Sequence, residues 1–255
     1  MYDAIYVSAV GLQAQKEQLD AAANNLANAN TPTFKRQRVD FSAILDRGGP
    51  ARVTDGLAPA AGESVSKRVR VDLAQGEVVP TGRALDVAIQ GAGFLEVLLA
   101  DGRSGYSRGG SLKVNDDGTL AIADGRALKA DVRVPSGATG IAVAADGTVT
   151  ALLPGDKSAS VLGQLDLVTF VNPDSLQYQG EGVFVPRAGA SDPARARPGE
   201  DGTGTLVTGA LEASNIRMVD EMVSLMLMQR VYELNAKVMQ AADEMVGMTN
   251  NLRRG

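Results

Sequence analysis

Cysteine, histidine and tryptophan are all absent from this sequence. Their absence removes the usual ligands of zinc, haem and iron–sulfur centres. It also removes the Ser-His-Asp and Cys-His arrangements of nucleophilic catalysis. Disulfides are impossible, so cysteine usage says nothing about redox compartment. Aromatic residues make up only 4% of the chain, which leaves the core to Val, Leu, Ala and Met. Long apolar runs are missing too. The stretch "MVSLMLM" (Met222–Met228) is far too short to span a bilayer. The opening "MYDAIYVSAVGL" lacks a basic region, and Asp3 and Ser8 break its apolar run, so no cleaved secretory signal is expected. The net charge is -5, and the basic clusters Phe34–Arg38 and Arg253-Arg254 are small. Neither a nucleic-acid partner nor membrane insertion is expected.

What is present is apolar enough to fold, at 44% hydrophobic and 22% charged over 255 residues. Ile5, Leu12, Leu19 and Leu26 recur every seven residues, with Ala9, Lys16 and Ala23 between them, and predict an N-terminal amphipathic helix. Pro32 should stop it, with Asn28 or Asn30 as a left-handed cap. Residues 46–68 are rich in Gly, Ala and Pro and read as a linker. Asp-Gly pairs at 101–102, 117–118, 124–125 and 146–147 lie between short apolar runs. They predict antiparallel strands joined by tight, two-residue turns over 69–206. A long helix is expected from about Asn215, as its cap, to Leu252. Its main seam reads Leu227, Val231, Leu234, Val238, Ala241, Met245, Met248 and Leu252, and a second row beside it holds Leu225, Met228, Tyr232, Met239 and Val246. That apolar face is wider than one helix–helix contact requires. Seven of the eight methionines fall between Met218 and Met248, which suits an adaptable packing surface.

No catalytic constellation, metal site or cofactor site stands out. Ser64 and Lys67 match an S-x-x-K pattern, but in the loose linker and without supporting motifs. "GAGF" (Gly91–Phe94) begins a dinucleotide-type glycine loop, yet Glu96 occupies the third glycine position. "VNDDGT" (Val114–Thr119) fails the calcium-loop spacing, because Lys113 stands at position one.

Several stretches resemble the bacterial flagellar basal-body rod and hook proteins, specifically the rod type. They are Asn24-Asn25-Leu26-Ala27-Asn28 with Thr31 and Phe34-Lys35; "LDVAIQGAGFLEV" (Leu85–Val97) and "YSRGGSL" (Tyr106–Leu112); and "GALEASNI" (Gly209–Ile216) with "QRVYELNAK" (Gln229–Lys237). Thr33 stands where the family usually has glycine, and Leu95 where it often has a second aromatic. "QRVYELNAK" and the long last helix look most like a distal rod protein, whereas "AIY", "TPTF" and "LLPGD" (Leu152–Asp156) pull toward a proximal one.

The resemblance implies a structural subunit that polymerises into the axial rod, transmits torque to the hook and leaves the cell through the flagellar type III export apparatus. Its partners would be copies of itself, other axial rod and hook proteins, the export apparatus and the surrounding basal-body rings. The expected fold is α+β: an antiparallel β-domain (69–206) inserted between N-terminal (1–45) and C-terminal (207–255) segments whose amphipathic helices form a coiled-coil-like helical end. The seams Ile5, Leu12, Leu19, Leu26 and Leu227, Val231, Leu234, Val238, Met245, Met248, Leu252 are the expected assembly residues. The family motif contributes Asn24, Asn25, Asn28, Phe34, Gly93, Tyr106, Asn215, Gln229, Arg230, Tyr232 and Asn235. Amides of Asn24, Asn25 and Asn28 are expected to bond between helices or to the turning backbone once subunits pack. A soluble β-rich binding module on a coiled-coil oligomerisation stalk is the alternative reading.

Overall fold

The computed structural model describes residues 2–39, 69–130, 132–155 and 158–252. The 46–68 stretch expected to be a linker, with Ser64 and Lys67, lies outside the described residues. Two compact units divide the chain. In described residues, a helical unit takes 2–27, 37–39, 69–70 and 217–252, and a β-unit takes 28–36 and 71–216.

The helical unit holds α1 (Tyr2–Ala27), α2 (Met218–Leu252) and the short strand β1 (Gln37–Val39), which pairs with β2 (Val69–Val71). Alanine-rich turns favour α1, and Asp220 and Glu221 sit in the first turn of α2, where the helix dipole favours acidic side chains. At 35 residues, α2 is about 52 Å long. It starts after Arg217, so Asn215 is not its cap. Nor does an asparagine form a left-handed cap on α1. Neither Asn28 nor Asn30 has a positive φ; the left-handed residue is Thr33, at φ 62°.

The β-unit holds β3 (Val78–Pro80), β4 (Asp86–Gln90), β5 (Leu95–Leu98), β6 (Ser104–Ser107), β7 (Gly109–Val114), β8 (Leu120–Ile122), β9 (Thr139–Val143), β10 (Thr148–Leu152), β11 (Ala159–Gln164), β12 (Leu167–Thr169), β13 (Leu176–Gly180), β14 (Val183–Pro186), β15 (Ala194–Ala196), β16 (Thr205–Thr208) and β17 (Ala210–Glu212). Two four-stranded sheets, ordered β13-β14-β6-β5 and β16-β4-β7-β8, carry most of the core, and β9–β11 form a third sheet. The β-structure runs past the expected limit of 206, because β16 pairs with β4 from Thr205–Gln90 to Thr208–Val87 and β17 pairs with β3.

All four Asp-Gly pairs make turns of one kind. The residue before the loop pairs with the residue after it (Leu99 with Arg103, Asn115 with Thr119, Ile122 with Arg126, Ala144 with Thr148), and each glycine N–H bonds back to the first of the pair. Each aspartate accepts from the backbone N–H two residues on, at 2.9–3.0 Å. The loops therefore hold three residues rather than two, with glycine in the left-handed position at φ 79–100°.

Strand β4 is buried on both faces except at Gln90, the pattern of a central strand. Val87, Ile89, Leu95, Val97, Leu165 and Leu167 are at most 1% exposed. The scarce aromatics are gathered rather than scattered. Phe94, Tyr106, Phe170 and Phe184 pack edge to face, with Tyr106 and Phe170 centred 4.8 Å apart at 90°.

Candidate assembly site

Two hydrogen bonds fix the direction of the helical hairpin. Asn235 Nδ2 donates to Gln15 Oε1 at 2.7 Å, and Asn25 Nδ2 donates to Glu221 Oε2 at 3.5 Å. As α1 runs from 15 to 25, α2 runs back from 235 to 221, so the pair is antiparallel. The face that α1 packs is built on small residues. Ala14 and Ala22 are buried, with Asn25 one turn further on, whereas Leu12, Leu19 and Leu26 are half-buried at the margin of the contact. On α2 the packed row is Glu221, Leu225, Met228, Asn235 and Met239, close to the second row read from the sequence.

The main α2 seam faces out. Leu227, Val231, Leu234, Val238, Met245 and Met248 are 42–63% exposed. Tyr232, Gln229 and Arg230 are exposed as well, while the side chains of Ile5 and Leu252 lie outside the described set. Complete burial of a large apolar side chain is worth about 1.5–3 kcal/mol, so this stripe leaves several kcal/mol unrealised. Exposed apolar stripes of this length are unusual on a monomer.

Asn25 holds the chain where it turns back. Its Oδ1 accepts from Gln37 N–H and its Nδ2 donates to Gln37 C=O, both at 2.9 Å, as a neighbouring strand would. The bond to the turning backbone expected of these amides is thus already made within one chain. Asn28 accepts from Thr31 through both its main chain (3.0 Å) and its side chain (3.2 Å), closing the bend that follows α1. Asn24 lies exposed.

In the β-unit, the segment after α1 is tied down by buried charge. Lys35 Nζ lies 2.5 Å from Glu212 Oε1 and donates to Ala74 C=O at 2.8 Å; both charged side chains are fully buried. Gly76 N–H donates to the same Glu212 oxygen, and Arg108 Nε reaches the other at 3.3 Å. Arg108 also donates to Gly93 C=O at 2.7 Å and lies over the Phe94 ring. Burial pushes the Lys35 ammonium below its ordinary pKa, and Glu212 beside it opposes that shift. Asn215 completes the tie: it accepts from Arg36 N–H and donates to Asp72 C=O, both at 2.8 Å. Phe34 is buried and meets Tyr178 edge-on.

Lys35, Arg108 and Glu212 all lie in stretches quoted above, yet none carried a role there. The available signal was a charge set among apolar neighbours, as Glu212 is between Leu211 and Ala213. Nothing local in the sequence says that these three meet.

Family comparisons fall on these same segments. Residues 5–35 match the family described as flagella basal body rod protein, 88–151 the flagellar hook protein FlgE/F/G D1 domain, and 207–252 the flagellar basal body rod FlgEFG protein C-terminal. A flagellar basal-body rod protein FlgG of Caulobacter vibrioides is 35% identical over 98% of this chain and 99% of its own. The chain belongs to the flagellar basal-body rod protein family. FlgG of Borreliella burgdorferi is 33% identical over the whole of both chains, and FlgF of Salmonella typhimurium 34% identical over 99% of this chain and 98% of its own. Rod-family membership makes this a structural subunit of the basal body that assembles with other flagellar rod and hook proteins, and the family is not an enzyme family. Within the rod family's two terminal matches lie both partners of the buried pair, Lys35 in the first and Glu212 in the last.

Proposed function

We propose that this rod subunit polymerises through its terminal helices into the axial shaft that carries torque to the hook. The exposed seam Leu227–Met248 carries that reading: its heptad spacing fits another helix, and Leu227, Leu234 and Val238 are 57–63% exposed. The sequence "QRVYELNAK" and the length of α2 favour the distal section of the rod. In this reading the subunit leaves the cell through the flagellar export apparatus without a cleaved signal, and its β-unit meets the surrounding rings. Leu234→Asp tests the seam, since a charge there should abolish polymers in sedimentation and electron microscopy while the β-unit keeps its circular dichroism. Polymers at the wild-type concentration would remove the seam from the contact.

A further inference from the structure

The hairpin carries two apolar stripes, not one, and they lie on opposite sides. At 100° per residue, Leu12, Leu19 and Leu26 lie about 100° round α1 from its packed face, in the direction of increasing residue number. The α2 seam lies about 120° round from its own packed face, in the opposite sense. In an antiparallel pair, displacements of opposite sense point to opposite sides of the hairpin. One flank therefore presents half-buried leucines seven residues apart, and the other presents Leu227, Leu234 and their neighbours, again seven apart. The seam borders the row that α2 already packs on α1, so a further helix laid there would continue an existing helix contact. Each stripe has exposed charges nearby, Lys16 and Asp20 for the first, Arg230 and Glu233 for the second, which supplies both signs for a polar rim.

We infer that the occupant of the α2 seam is the Leu12–Leu19–Leu26 flank of a second copy of this chain. The inference rests on the polymerisation proposed above and specifies its contact. A stripe on one side that fits a different stripe on the other makes a heterologous contact, which repeats from copy to copy and does not close on itself. Were the α2 seams instead to pair with each other, the contact would be isologous and would end at a dimer.

The cysteine-free chain makes the test direct. Full-length Leu19→Cys and Leu234→Cys variants are assembled separately and as an equal mixture, then treated with a short bifunctional maleimide. The mixture should give roughly ten-fold more cross-linked dimer than either variant alone, as a heterologous contact requires. Dimers of Leu234→Cys alone, or of Leu19→Cys alone, at the yield of the mixture would overturn the pairing; with polymers still present, polymerisation itself would stand. Failure of the unsubstituted chain to polymerise would remove both. Where a cysteine itself blocks assembly, Leu26→Cys mixed with Val231→Cys carries the same expectations.

Discussion

The two units spend their apolar residues differently. The β-unit hides most of them: its strands bury Val87, Ile89 and Val97 completely, and the charges of Lys35, Arg108 and Glu212 are taken inside and paired. The helical unit leaves six large side chains of one seam out. Apolar side chains thus serve burial within the chain in one unit, and in the other a whole row of them stays in solvent. Side chains that face solvent contribute little to folding, and they contribute most when a partner covers them.

The largest expected effect that would break this contrast comes from the buried charges. Glu212→Gln leaves Lys35 and Arg108 facing a neutral amide, and should cost the β-unit about 3–5 kcal/mol in urea unfolding. Leu234→Ala, on the exposed seam, should change the same measurement by no more than about 0.5 kcal/mol. An unchanged midpoint for Glu212→Gln would mean that the buried triad does not anchor the unit.

Next comes Asn25. Removing its amide strands the N–H and C=O of Gln37, so Asn25→Ala should cost about 2 kcal/mol and speed hydrogen exchange at the Gln37 amide. Unaltered exchange there would show that the amide only ends the helix.

Acid should act on the β-unit through Asp86, whose carboxyl is held down to about 2 from an ordinary 3.8. Arg83 is the main cause, Thr81 and Ser111 help, and burial opposes them. The folded protein therefore gives up this proton more readily than the unfolded chain. The contribution is complete above about pH 4 and is lost as pH falls through 2; with Arg83 largely in solvent, about 1–2 kcal/mol is at stake. The acid limb of a pH–stability curve should flatten in Asp86→Asn, and a limb of unchanged steepness would assign acid sensitivity elsewhere.

The smallest effect lies at Thr33. Thr33, at φ 62°, adopts a conformation that costs a β-branched residue but not glycine. Thr33→Gly should stabilise the β-unit by about 0.5 kcal/mol, the relief of strain being partly offset by the entropy glycine brings to the unfolded chain. A loss of stability would mean that the buried Thr33 side chain outweighs its backbone strain.

How much of this was legible in the sequence depends on how local the cause is. The two helices, the stop before Pro32 and the four Asp-Gly turns follow from periodicity and turn chemistry, and they appear where expected. The turns hold one residue more than a minimal hairpin, because the glycine takes the single left-handed position of a longer loop. Asn215 looked like a helix cap, being polar and just ahead of an apolar run; its amide instead serves Arg36 and Asp72, which are distant in sequence. The same limit hid the meeting of Lys35, Arg108 and Glu212. For the seams, spacing identified the apolar rows. It could not say which row α1 covers, because that depends on the close approach allowed by Ala14 and Ala22.

A simple insertion would pass the backbone between the two units twice. Among the described residues it passes four times, after residues 27, 36, 70 and 216, because 28–36 belongs to the β-unit while 37–39 and 69–70 belong to the helical unit. Four peptide segments, rather than two, therefore connect the units.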